Sequence, residues 1–120
     1  MSELTSASIK AFALERGADD CGVANIERWE GAPPSMDPRN IWPEARSVVV
    51  IIKRIPRGTY RGIEEGTHWN NYTFYSYNRL NTLFRPTVKY ETCCFIEDHG
   101  WEAMPLYPGV SERSPSPALP

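Results

Sequence analysis

The run 47–53, SVVVIIK, constrains this chain more than any other stretch. Val48 to Ile52 are all β-branched. Such side chains lose rotamer freedom in a helix and pack well on a pleated surface, so the run predicts a strand. Because it is continuously apolar rather than alternating, it further predicts a strand buried on both faces and central in a sheet. It is also the longest apolar stretch and is far too short to span a bilayer, so nothing here predicts a membrane protein.

The flanking segments read as elements of a small mixed fold. Leu4, Ile9, Phe12 and Ala13 recur at helical spacing behind Ser2 or Thr5 as N-cap, and Gly17 supplies a left-handed stop. Cys21 to Ala24 predicts a short strand of small residues. Residues 30–38, EGAPPSMDP, form a loop, in which Asp37 caps a turn with Pro38 at its first position and Pro43 closing it. Residues 59–71 are polar and carry Gly62 and Gly66, which predicts an irregular connection. A long helix is expected from about Asn71 to His99, with Tyr77, Leu80, Phe84, Val88 and Phe95 on one face. Pro86 lies inside it and predicts a kink or a break, and Gly100 ends it. Trp101 to Leu106 then reads as a third strand. The fold class expected is an α/β or α+β sandwich, with a small, mostly buried sheet and a long kinked helix in a strand–helix–strand unit. Residues 1–110 form this domain, and 111–120, SERSPSPALP, form a disordered Ser/Pro-rich tail.

Charge and cysteine content exclude several classes. Thirteen basic against fifteen acidic residues give a net charge of −2, which leaves no nucleic-acid footprint. Three cysteines, two of them adjacent, are no disulfide framework and suit a reducing cytoplasm. The N-terminus shows no basic segment leading into an apolar one, so no secretory signal is expected. Phosphate-loop, dinucleotide, Ser–His–Asp and zinc-protease signatures do not occur, and two histidines cannot build a three-histidine site.

Two clusters invite a chemical reading. In ETCCFIEDHG, Cys93 and Cys94 stand near His99 and several carboxylates. Adjacent helical residues point about 100° apart, so the pair cannot readily grip one ion, and the expectation is that both pack as small apolar groups. No metal ligand is assigned. In HWNNYTFYSYN, residues 68–78, one Trp, one Phe and three Tyr surround a histidine and three asparagines. These rings either line a pocket for a large planar ligand or begin the apolar face of the long helix. Arg54 and Arg57, just past the central strand, are placed to meet an anionic group.

Four stretches in order, IKAFALERGADDCGVANIERW, WPEARSVVVIIKRIPRG, YSYNRLN and FIEDHGWEAMPLYP, resemble the N-terminal region of the epoxyqueuosine reductase-like family, whose members are iron–sulfur, cobalamin-dependent reductases. Pro43, Ala45, Arg46, Ser47 and Val48 match the family's lead into its central strand. Glu97, Asp98, Gly100, Ala103 and Pro105 match its turn after the long helix. The resemblance implies a corrinoid and substrate cavity, with Tyr72, Tyr75, Tyr77, Arg54 and Arg57 as cofactor-binding candidates. It implies cobalamin as a ligand and [4Fe–4S] clusters in full-length members, but the cysteine runs that hold those clusters have no counterpart among these 120 residues. The chain therefore reads as a truncated N-terminal, corrinoid- or substrate-cavity portion of such an oxidoreductase, not catalytically complete alone. The alternative is a non-catalytic binding or interaction module that self-associates, or meets a missing C-terminal half, through an apolar face.

Overall fold

The structure, a computed structural model, describes residues 3–106. It is a small α+β protein, with three α-helices and a two-stranded antiparallel sheet among the described residues. Its residues fall into two compact units, 3–21 with 51–105 and 22–50 with 106.

The first unit begins with α1 (Ser6–Glu15). Thr5 caps it in a reciprocal box: the Ser8 N–H donates to Thr5 Oγ1 and the Thr5 N–H to Ser8 Oγ, each at 3.0 Å. Its C-terminal end is a Schellman turn. Gly17 takes φ +113°, its N–H donates to the Leu14 carbonyl at 3.1 Å, and the Ala18 N–H donates to the Ala13 carbonyl at 2.9 Å. Ile9 and Ala13 are the buried face of the helix. They pack with the long helix, where Phe12 stacks on Phe95 with centroids 4.3 Å apart.

The polar connection expected over 59–71 is largely helical. A 3₁₀ turn at Arg57–Tyr60 runs into α2 (Arg61–Glu65), and Gly66, at φ +73°, stops it. One continuous, bent helix follows, in two styles. Tyr72–Asn78 and Leu80–Phe84 are π-helical, with the Arg79 N–H on the Phe74 carbonyl and the Arg85 N–H on the Leu80 carbonyl, five residues back. From there α3 (Arg85–Asp98) is regular. The helix neither breaks at Pro86 nor runs through it as a plain α-helix. A proline ring clashes with the carbonyl four residues earlier, and the wide π turns make room there. The buried row is Ser76 and Leu80, then Val88, Thr92 and Ile96. Tyr77 and Phe84, expected on that face, are 64% and 39% exposed because the π turns rotate them away.

In the second unit, Asp37 caps a 3₁₀ turn at Pro38–Asn40, as the sequence predicts. Its carboxylate accepts the Arg39 N–H at 2.9 Å and is gripped by the Arg39 guanidinium, with Nε at 3.0 Å and Nη2 at 2.8 Å. These bonds hold its carboxyl below the usual aspartate range.

The sheet pairs β1 (Asp20–Asn25) with β2 (Ser47–Ile52). In the first unit the Asp19 N–H meets the Ile52 carbonyl at 2.8 Å, and in the second the Ile26 N–H meets the Arg46 carbonyl at 2.9 Å. The expected burial of β2 on both faces is not found: it has one partner strand among the described residues, and Val50 and Ile52 are about half exposed. The third strand is also absent. Residues 101–106 take no regular structure, because Gly100 turns the chain at φ +91° and Pro105 cannot donate to a ladder. The expected strand–helix–strand crossover is thus replaced by an antiparallel pair followed by helices. The Ser/Pro-rich segment 111–120 lies outside the described residues.

Candidate ligand cleft

The end of β2 delivers Ile52, Lys53 and Arg54 to the surface of the first unit, opposite the start of the long helix. Between them lies a cleft of about 320 Å³. Asp19, Lys53, Arg54 and Thr59 form its polar wall. Pro56, Tyr75, Leu80 and Phe84 form its apolar wall. A volume near the lower end of the range for small-molecule sites, roughly 300–1,000 Å³, with its lining divided evenly between polar and apolar residues, suits a single small ligand or one edge of a larger one.

Short hydrogen bonds fix the polar wall. Asp19 Oδ2 accepts the backbone N–H of Arg54 at 2.7 Å, which fastens the strand end to the segment after α1. The Lys53 ammonium donates to the Gly17 carbonyl. Thr59 Oγ1 donates to the Pro56 carbonyl at 2.8 Å and lies 2.6 Å from Ser76 Oγ. A hydroxyl has one proton to give, so Ser76 is the donor of that pair, and the two side chains satisfy one another. Ser76 is only 3% exposed, and the bond pins the 3₁₀ turn to the π-helical segment behind the cleft. On the apolar wall, the Tyr75 ring stands edge-on to Phe74 at 4.8 Å, and the Arg79 guanidinium lies 4.7 Å over Phe74 on its other contact.

The cleft brings together two of the five residues singled out in the sequence, Arg54 and Tyr75. The other three lie elsewhere. Arg57 pairs with Glu64 at 3.0 Å, an exposed bridge of small energetic weight. Tyr72 rests tilted against Tyr60, with centroids 5.4 Å apart. Tyr77 projects into solvent. Asp19, Lys53, Pro56, Thr59, Leu80 and Phe84 complete the cleft, and of these Lys53, next to Arg54 at the strand end, is the one whose place in the sequence points to a site.

The cysteines do not converge. Cys21 is buried in β1, Cys93 is half-buried, and Cys94 is exposed. The expectation that Cys93 and Cys94 both pack in the core is corrected for Cys94. The buried row of α3 passes through Thr92 and Ile96, and a residue two positions from each points about 200° away from it. Burial pushes the Cys21 and Cys93 thiols up, helped by Asp20 in the first case and Glu97 in the second. His99 is occupied locally: Nδ1 lies 2.8 Å from the Phe95 carbonyl and its ring packs at 4.6 Å from the Phe95 ring. Among the described residues, no group of three or more His, Cys, Asp or Glu is placed to hold a metal ion, and no helix is long and apolar enough to cross a membrane.

No family model matches the chain, and neither a curated protein nor a solved structure matches it. The fold defines its class, a small α+β protein.

Proposed function

We propose that the chain forms one wall of a ligand cavity of the epoxyqueuosine reductase-like kind, and that it binds an edge of a corrinoid or its substrate rather than carrying out electron transfer itself. The observation that supports this reading is the meeting of Arg54, from the strand end, with Tyr75, from the long helix, on one cleft of about 320 Å³. Both residues belong to the stretches that carry the resemblance. A cleft of that size with an aromatic wall fits a ring edge or an amide side chain of a corrinoid, not the whole macrocycle. The residues do not fit an iron–sulfur cluster. A [4Fe–4S] centre needs four thiolates, and the chain has three, one buried, one half-buried and one exposed. The test is titration of the chain with hydroxocobalamin, followed by equilibrium dialysis and visible absorbance. Binding that weakens in Arg54→Ala and Tyr75→Ala supports the reading. No retention by the wild-type chain refutes it.

A second reading, a non-catalytic interaction module, is favoured by a different observation. Trp69, Tyr77, Tyr90 and Trp101 are each more than half exposed, so a partner that covered them would bury large aromatic surface. Concentration-dependent oligomerisation in sedimentation experiments, unchanged by corrinoid, is the result that selects it.

A further inference from the structure

Three charged groups line the cleft, and two are committed. The Asp19 carboxylate is held by the Arg54 backbone N–H at 2.7 Å. The Lys53 ammonium is held by the Gly17 carbonyl. The Thr59 hydroxyl spends its proton on Pro56 and receives that of Ser76, so it has no donor left for a ligand. The Arg54 guanidinium differs from all of these. Among the described residues it makes no ion pair and no side-chain hydrogen bond. Asp19, Lys53 and Arg54 together leave the cleft one net positive charge. Lys53 keeps two N–H donors as a compact point charge, whereas Arg54 offers a planar fork of five donors that matches a carboxylate or phosphate two bonds at a time.

Opposite this charge stand rings and alkyl groups. Tyr75 is 50% exposed and Phe84 is 39% exposed, and both line the same cleft. Tyr75 makes a T-shaped contact with Phe74, which Arg79 covers in turn, so its ring is held at little further cost in side-chain entropy. Leu80 closes the floor and is 7% exposed. A ligand satisfying both walls has an anionic head and a flat apolar body, and the cleft volume limits that body to about one ring.

We infer that this cleft selects a small aromatic anion, a ring-bearing carboxylate or phosphate monoester, with the Arg54 guanidinium as its anchor. The inference rests on the reading of the cleft as a ligand cavity and adds the chemical class that the cavity prefers.

The test uses the full chain, labelled with ¹⁵N, titrated separately with phenyl phosphate, benzoate and neutral benzyl alcohol. Backbone amides and the Arg54 Nε–H are followed by NMR. At least one anion shifts Arg54, Thr59 and Tyr75 resonances in a saturable way, and benzyl alcohol binds about tenfold or more weakly. Arg54→Met lowers anion affinity about tenfold or more and leaves benzyl alcohol unchanged, while Arg54→Lys, which keeps the charge but not the fork, falls between. Tighter binding of phenyl phosphate assigns the phosphate form, and tighter binding of benzoate the carboxylate form. If benzyl alcohol binds as well as the anions, or Arg54→Met binds anions as the wild type does, anion selection is wrong and the cleft survives as a ligand site. If none of the three probes moves the cleft resonances, this inference falls, while the ligand-cavity reading stands or falls by the hydroxocobalamin titration.

Discussion

Replacing Gly62 by alanine should destabilise the protein, although the usual rule for a helical glycine has the opposite sign. Gly62 lies in α2, where exchange to alanine ordinarily gains about 1 kcal/mol of helix propensity. Here a Cβ on residue 62 would run into the His68 carbonyl oxygen, and it would lie 2.8 Å from the His68 Cβ and 2.9 Å from its carbonyl carbon. The obstacle is backbone, so no side-chain rotation relieves it. The segment after α2 is tied against this spot, because the Thr67 and His68 N–H groups both donate to the Gly62 carbonyl, at 2.8 and 3.2 Å. Relief means pushing that segment out and losing at least one of these bonds, worth about 1 kcal/mol. Overpacking adds about 1–3 kcal/mol. Set against the propensity gain, the net loss is about 1–3 kcal/mol, and each kcal/mol lowers Tm by about 4–8 °C in a domain of 60–100 residues. Urea and thermal denaturation followed by far-UV circular dichroism measure it. Gly58→Ala serves as the control, since a Cβ there meets nothing within 4 Å. A Gly62→Ala protein as stable as the wild type, with unshifted Thr67 and His68 amides, refutes the reasoning.

Further outcomes follow from the same geometry. Ser76→Ala removes the donor that satisfies Thr59 at a site 3% exposed, and urea melts should show a loss of about 1–2 kcal/mol, whereas Thr73→Ala, at an exposed position on the same helix, should show little. Thiol reagents should modify Cys94 first, Cys93 more slowly and Cys21 last, as followed by mass spectrometry. The reaction of the latter two should still be rising at alkaline pH, because their thiols are pushed up and only the thiolate attacks. Equal rates at all three would contradict the burial pattern. The Asp37 carboxyl is depressed in the folded chain by the Arg39 bonds, so its contribution is present above the unfolded value of about 3.9 and disappears as pH falls through the lower folded value. NMR titration of the Asp37 and Arg39 signals should therefore show the turn at Pro38–Asn40 loosening only in that acid window, and Asp37→Asn should remove the transition.

Features set by neighbours in the chain were legible in the sequence. Thr5 and Gly17 bracket α1 because capping needs only residues a few positions away, and Asp37 with Pro38 starts its turn for the same reason. β2 was legible as a strand from its β-branched run, but not its surroundings. Pairing is non-local, and the same run fits a central strand or a two-stranded ribbon with half-exposed faces. Trp101 to Leu106 looked strand-like by composition, and Pro105 was the signal against it. The π turns were hidden because Tyr77, Leu80, Phe84 and Val88 are spaced as an α-helix requires. What separates the two helical forms is hydrogen-bond register, which Pro86 displaces sterically over Leu80–Phe84 without altering the spacing of apolar residues. The cleft was half legible: Arg54 and Tyr75 stood out, while Thr59 and Phe84 enter it only through the turn after β2 and the rotated helix face.

The two π-helical stretches also bear on what length changes the long helix can absorb. In α3 the buried residues Val88, Thr92 and Ile96 sit four apart, so removing one residue within that row would swing the residues on one side of the gap by about 100° and put Thr92 or Ile96 in water. Between Tyr72 and Phe84 the turns already hold more chain than an α-helix needs. A single deletion there can be taken up by tightening one wide turn into an ordinary one, with Leu80 and the row beyond it left in place. The helix thus carries slack at the end that borders the cleft and none at the end that packs on α1. Changes of chain length that reshape the cleft wall are therefore the ones this fold tolerates.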